Sequence, residues 1–232
     1  MLYLIGIGLR EKDVTLAALD AMKECDKVYS ESYTGMTSPS YLESMTNKKI
    51  SPLDRTKVES DFLIKEAEQS KIALLVPGDP LTATTHMELI MEAKKLGIET
   101  EVVHAPSIFT AVAECGLHMY KFGRTTTLAR PLENYHPESP YDVIVENKKH
   151  GMHTLMLLEI DMQASEAVGI LKQIEEKKKC NVLGEKIVVM HFGEKNQILY
   201  AKPDDVSVEA PCCLIFPAEL HFTEEEALSL WE

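Results

Sequence analysis

Long apolar runs are missing from this 232-residue chain, and none approaches the roughly 18 to 20 residues that a membrane span requires. Cysteine is sparse and unpatterned. Cys25, Cys115, Cys180, Cys212 and Cys213 form no C-x-x-C pair and no metal-ligand spacing. That argues against a disulfide framework or a structural zinc site and fits reduced thiols in a cytoplasmic protein; no metal is expected. No basic segment precedes the opening apolar run Leu2-Tyr3-Leu4-Ile5, so no secretory signal is expected. Positive charge is also in short supply: 24 Lys and Arg face 37 Asp and Glu, a net charge of −13. Such a surface repels phosphate backbones, so direct nucleic-acid binding is not expected. Internal repeats and low-complexity tracts are absent as well. What is present is 45% hydrophobic residues among interspersed charges, the composition of a chain that buries a core.

The first half alternates short apolar runs with helix-like segments. Residues 2–7 read as a buried strand ending at Gly6-Ile7-Gly8, with Asp13 as the N-cap of a helix reaching Lys23. Residues 27–30 form a second strand ending near Glu31. Residues 58–69 read as one helix, and 72–76 as a strand stopped by Pro77-Gly78. Residues 86–96 form a helix closed by Gly97, 99–103 a strand, and Ser107 opens another helix. This rhythm predicts a parallel, doubly wound α/β sheet. Residues 122–140 break it with Gly123, Pro131, Pro137 and Pro140. They set an expected boundary between an N-terminal α/β domain, 1–122, and a C-terminal α/β domain, 123–232. In the second half, residues 154–158, 187–192, 197–201 and 212–216 read as strands with the short connections of a mixed sheet. Residues 165–179 read as an amphipathic helix, and Thr223 as the cap of a last one.

Two loops stand out. Gly6-Ile7-Gly8 lets the chain turn sharply and lets a ligand approach the backbone. A dinucleotide fingerprint would need a third glycine where Glu11 stands, although Glu31 at the end of the second strand is placed to hold a ribose. No G-K-[ST] follows for a Walker loop, so a plain strand-to-helix turn is the default reading. The second loop, Pro77-Gly78-Asp79-Pro80-Leu81-Thr82, ends a strand at the sheet edge where ligands of open α/β folds bind. Its prolines hold it rigid. Asp79, read here as lying on an exposed loop, suits an ammonium group or ribose hydroxyls, while the alternative is an Asx-turn with no ligand. His86 and His221 read as structural, and no residue declares itself as a general base, so the catalytic residue is unknown.

The order of motifs carries further information. G-x-G-L near the start, K-D-V-T-L, V-P-G-D-P-L-T-A-T-T-H, A-P-S-I and G-L-H-M-Y-K-F-G-R-T follow one another along the chain. In that order they resemble the diphthine synthases, which belong to the tetrapyrrole-methylase-like class of methyltransferases. The resemblance continues through Tyr141-Asp142-Val143-Ile144, residues 154–160 and Leu214-Ile215-Phe216-Pro217, and so spans nearly the whole chain. The long P-G-D-P-x-x-A-T-T-H run and Y-K-F-G-R-T are the specific parts.

The resemblance implies an enzyme that uses S-adenosylmethionine, leaving S-adenosylhomocysteine. It implies repeated methylation of the amino group of a 3-amino-3-carboxypropyl-histidine on translation elongation factor 2, giving diphthine. It further implies a homodimer with the donor in the cleft between the two domains. Carried over position by position, the donor contacts fall on Leu9, Asp79, Thr82, Ser107, Ile108, Leu158, Phe192 and Cys212. Two of these depart from the family pattern, which has a small residue at Phe192 and a histidine at Cys212; Glu159 and Val14 are milder departures. Lys121 and Arg124 in the Y-K-F-G-R-T loop are expected to dock the protein substrate through a carboxylate. The rival readings are a corrin-precursor methyltransferase of the same fold and a noncatalytic nucleotide-binding module.

Overall fold

In the computed structural model, which describes residues 1–32, 39–193 and 195–232, the chain divides into two compact units, Met1–Ala111 and Val112–Glu232. The first is built on five strands: β1 (Leu2–Gly6), β2 (Lys27–Glu31), β3 (Ile50–Leu53), β4 (Ile72–Val76) and β5 (Thr100–Val103). All pair in parallel, in the order β3-β2-β4-β1-β5. Unbroken apolar runs need burial on both faces, and every residue of β1 and β4, the two strands adjoining at the middle of the sheet, is buried. Side chains alternate between the faces. Tyr3, Ile5, Ala73 and Leu75 meet Ala18, Leu19 and Met22 of α1 (Leu16–Glu24) and Leu42 of α2 (Pro39–Thr46). Leu2, Leu4 and Leu74 meet Val58 of α3 (Arg55–Val58), Leu63 and Ile64 of α4 (Phe62–Gln69), and Leu89 and Ile90 of α5 (Met87–Lys95). Each such Leu or Ile contributes about 1.5–3 kcal/mol by leaving water.

The chain therefore leaves β1 toward one face of the sheet and leaves β4 toward the other. The two connections diverge at the carboxyl ends of neighbouring strands, the place where open α/β sheets bind ligands. The short α6 (Ile108–Ala111) follows β5 at the same edge.

Local chemistry moved several boundaries. Thr15, not Asp13, caps α1, its hydroxyl accepting from Ala18 N at 3.1 Å. Asp13 instead turns back to accept from Leu9 N and Arg10 N. Residues 58–69 hold the ends of two helices, because Asp54 caps α3 through Lys57 N at 2.8 Å and the chain turns again before Phe62. Helix α2 and β3 lack a readable apolar period. Strand β3 lies at the sheet edge, where Pro52 is tolerated.

The second unit carries β6 (Thr126–Leu128), β7 (Thr154–Leu158), β8 (Ile187–His191), β9 (Gln197–Ala201) and β10 (Cys212–Phe216), ordered β6-β7-β10-β8-β9. Strand β10 runs antiparallel to β7 and β8, whereas β6 and β7 are parallel, so the sheet is mixed. Its core joins Met156, Val189 and Leu214 to Tyr141 and Ile144 of α7 (Ser139–Lys149) and to Ala167, Leu171 and Ile174 of α8 (Ala164–Lys178). The last helix, α9 (Phe222–Leu228), is capped by His221 and not Thr223: the imidazole accepts from Thr223 N while Glu224 reaches back to His221 N. The expected α/β class with a parallel and a mixed sheet holds. The division falls between Ala111 and Val112 instead of at residue 122, because residues 112–121 are tied into the second unit. Cys115 O accepts from Trp231 Nε1, His118 N donates to Glu224, and a Cβ on Gly116 would sit 2.4 Å from Ala227 Cβ.

Candidate functional site

Beyond the ends of β1 and β4, Gly8 and Gly78 exchange hydrogen bonds in both directions, Gly8 N to Gly78 O at 3.2 Å and Gly78 N to Gly8 O at 2.8 Å. Both have positive φ, 76° and 71°, which glycine adopts without steric cost. Their surroundings differ. A Cβ on Gly8 would collide with Asp13 Cβ at 2.3 Å, and one on Gly6 would meet Gly78 O at 2.7 Å. A Cβ on Gly78 would meet only Leu9 Cδ2, at 3.9 Å. The backbone at Gly78 thus presents an open face bordered by Leu9.

Asp79 follows. It is 7% exposed, so the expectation of an exposed loop residue is corrected: donors from the following turn and from the loop after β5 close around its carboxylate. Each oxygen accepts twice. Leu81 N (3.0 Å) and Thr82 Oγ1 (3.1 Å) donate to Oδ1, and His104 Nδ1 (2.7 Å) and Ala105 N (3.3 Å) lie on Oδ2. Burial alone would raise its pKa. The hydrogen bonds from Leu81, His104 and Ala105 outweigh that and hold the carboxyl below its ordinary range. These bonds also tie the loop after β5 to the loop after β4. Ser107 is buried just before α6, and its hydroxyl makes no hydrogen bond among the described residues. Leu9, Asp79, Thr82, Ser107 and Ile108 are therefore brought together at the carboxyl edge of three adjacent strands, β4, β1 and β5. An open glycine backbone, a fixed anion and an unengaged hydroxyl at one sheet edge fit the polar and cationic parts of a methyl-donor nucleoside.

Behind this loop, His86 bridges to the end of β2. Its Nε2 lies 3.0 Å from Glu31 Oε2 and its Nδ1 3.2 Å from Pro80 O. A carbonyl only accepts, so Nδ1 carries a proton. Glu31 and His86 are both nearly inaccessible, which places Glu31 in the loop's support and not on a ribose.

In the second unit, Leu158 ends β7, Phe192 follows β8 and Cys212 begins β10. The antiparallel register, Cys213 opposite Leu157 and Cys212 opposite His191, brings all three to one edge of that sheet. Burial pushes the Cys212 thiol up to about 11, which leaves it protonated and unreactive.

The Y-K-F-G-R-T loop divides its two cations. Lys121 Nζ lies 2.6 Å from Glu224 Oε2 and donates to Glu219 O. Glu224 is completely buried and also accepts from His118 N (2.7 Å), His221 N (2.8 Å) and His153 Nε2 (3.0 Å). Arg124 is exposed, and its guanidinium has no partner among the described residues. Its backbone is clamped by buried Asn147, whose Oδ1 accepts from Arg124 N at 3.1 Å and whose Nδ2 donates to Arg124 O at 2.8 Å. A Cβ on Gly123 would meet Asn147 Oδ1 at 2.4 Å, so the glycine of the motif makes room for the clamp. Sequence reasoning missed His104 and Asn147. His104 stands directly before A-P-S-I at a strand end, which was the readable signal; Glu146-Asn147 belongs to the stretch that resembles the family, but nothing in it marks Asn147 as a clamp. Among the described residues no group of three or more His, Cys, Asp or Glu is placed to hold a metal ion, and no helix is long and apolar enough to cross a membrane.

Residues 1–196 match the model of the tetrapyrrole (corrin/porphyrin) methylases, a class of methyltransferases to which the two-sheet fold corresponds. Within that class, the chain is 44% identical to a diphthine synthase of Methanococcus maripaludis, over 98% of this chain and 97% of the relative. It is 42% identical to that of Methanocaldococcus jannaschii with the same coverage. A solved diphthine synthase superposes with a TM-score of 0.90 at 30% identity, covering 100% of this chain and 96% of its own. A solved Entamoeba histolytica protein described as a diphthine synthase gives 0.91 at 33%, covering 100% and 98%. The chain belongs to the diphthine synthase family.

Proposed function

We propose that this chain transfers methyl groups from S-adenosylmethionine to the amino nitrogen of a 3-amino-3-carboxypropyl-histidine on translation elongation factor 2, repeatedly, toward diphthine. It acts in the cytoplasm as a homodimer. The observation that carries the reading is the convergence of Leu9, Asp79, Thr82, Ser107 and Ile108 around the reciprocal Gly8–Gly78 bond, in a chain of this family. These residues hold the donor, with the Asp79 loop facing its polar end and Leu9 its apolar surface. Leu158, Phe192 and Cys212 are assigned as further donor contacts on the family resemblance.

When bound, the donor supplies a methyl group already activated on a positively charged sulfur. The chain's own contribution is to orient that group and the attacking nitrogen in line, an effect of proximity alone that reaches roughly 7–11 kcal/mol in favourable cases. Arg124, held at the backbone by Asn147 with its guanidinium unengaged, docks the substrate carboxylate. Lys121 assists through its charge while anchoring its loop to Glu224.

The test is transfer of labelled methyl from S-adenosylmethionine to elongation factor 2 bearing the aminocarboxypropyl-histidine, to a corrin precursor, and to neither. Label is expected in the elongation factor alone. Label in the corrinoid overturns the substrate, and binding of donor without transfer to either overturns the enzyme.

A further inference from the structure

We propose that His104 is the base that takes the proton from the substrate amino group before each methyl transfer, an inference that rests on the function proposed above. The chemistry requires that a proton leave before each transfer. An amine attacks only as the neutral species, and the aminocarboxypropyl nitrogen is an ammonium near neutral pH. Each transfer produces another ammonium, which must lose a proton before the next.

His104 directly follows β5 at the edge where the donor residues gather. Its Nδ1 lies 2.7 Å from Asp79 Oδ2. An ionised carboxylate only accepts hydrogen bonds, so Nδ1 carries the hydrogen and the lone pair of the neutral ring falls on Nε2. The side chain is 68% exposed, and Nε2 has no partner among the described residues. The carboxylate behind it does not move, because Leu81 N, Thr82 Oγ1 and Ala105 N hold it as well. A fixed carboxylate that sets the tautomer of an imidazole whose far nitrogen is open is the arrangement of an oriented general base.

The other histidines facing buried carboxylates lack that opening. His86 has Pro80 O on Nδ1 and Glu31 on Nε2. His153 accepts from Ala218 N at Nδ1 and meets Glu224 at Nε2. His118 faces Glu224 through Nδ1 and Thr223 Oγ1 through Nε2. His104 alone among the four has a ring nitrogen with no partner among the described residues.

The step balances. Nε2 takes one proton from the substrate ammonium and the ring becomes an imidazolium. The freed nitrogen lone pair forms the N–C bond to the methyl as the C–S bond breaks, its electron pair passing to sulfur to leave a neutral thioether. The product is an N-methylammonium, and His104, after releasing its proton to solvent, serves the next round. The sequence stops at the quaternary nitrogen, which has no proton to give.

The experiment uses the full chain with His104→Ala and His104→Asn. Asparagine can still donate to Asp79 but has no basic nitrogen. Both variants are expected to lose about 10²-fold in kcat/KM for the elongation factor, to accumulate product with fewer methyl groups, and to recover partly, His104→Ala most, with added imidazole. Donor affinity by calorimetry should stay within about twofold of the wild type in His104→Asn. Independently of turnover, two-bond 1H–15N spectra of the wild type should show His104 protonated on Nδ1 and bare on Nε2. A fully active His104→Asn, or a ring protonated on Nε2 alone, overturns the base while leaving the function standing. A wild type that moves no methyl group overturns both.

Discussion

Asp79 and Glu224 are the same device put to two uses. Each is a buried carboxylate, one in each unit, with two hydrogen-bond partners on each oxygen, one of the four being an imidazole nitrogen. At Glu224 the imidazole is closed in: His153 is wholly buried and its second nitrogen accepts from Ala218 N. Around Asp79 one position is left open, because His104 stands in solvent. The carboxylate fixes its surroundings in both places, and the state of the histidine's far nitrogen separates a knot of the fold from a piece of chemistry.

The knot should yield the largest effect. Glu224→Ala leaves Lys121 without its buried counter-ion and two backbone donors without acceptors, which should cost the second unit about 3–5 kcal/mol in urea unfolding. A loss below about 1 kcal/mol would erase the distinction. Acid should act through the same group. Burial alone would raise the Glu224 pKa, but the hydrogen bonds from His221, Lys121, His118 and His153 lower it from 4.5 to about 2. A depressed carboxyl stabilises above its unfolded pKa, so roughly 3 kcal/mol present above pH 4.5 should vanish as pH falls toward 2. His153 adds in the same direction: burial lowers its pKa, so its contribution begins to fade as pH drops below its unfolded value. Glu224→Ala should flatten the acid limb of an unfolding-versus-pH series.

At the open site, Asp79→Ala removes the acceptor for Leu81 N and Ala105 N and loosens the loop over the donor. Donor affinity by calorimetry should weaken by about 1–3 kcal/mol. Unlike a change on an exposed loop, it should also lower the stability of the first unit by a similar amount. Unchanged affinity would remove Asp79 from the site. The smallest effect belongs to Arg124→Ala, expected to raise KM for the elongation factor about tenfold at low salt, with less loss as salt screens the pair. Its stability and donor affinity should match the wild type, because Asn147 grips only its backbone. Lys121→Ala, by contrast, should destabilise the second unit.

The alternating strands and helices of the first unit were legible because β1 and β4 are apolar throughout and the turns after β1, β4, α5 and β5 carry glycine or proline. The carboxyl-edge placement of Asp79 and Ser107 followed from the same pattern. What stayed hidden was tertiary. His104 acquires a role only when β5 lands beside β1 and carries it to a carboxylate 25 residues earlier in the chain. Lys121 reads as a free cation until Glu224, 103 residues later, folds against it. Residues 112–121 looked like the end of the first domain because their attachments lie on α9 and the C-terminal Trp231, which no local pattern announces.

Because Gly8 and Gly78 bond each other reciprocally, the turns after β1 and β4 have lost their independent conformational entropy at the moment of folding. Ordering a free residue costs about 1–2 kcal/mol, so a donor that touches both turns meets a surface whose disorder is already gone. Its binding should be dominated by enthalpy of contact, with little backbone change on either strand. Loosening one glycine should slacken the other turn as well, so that substitutions at Gly8 and at Gly78 weaken donor binding less together than the sum of their separate effects.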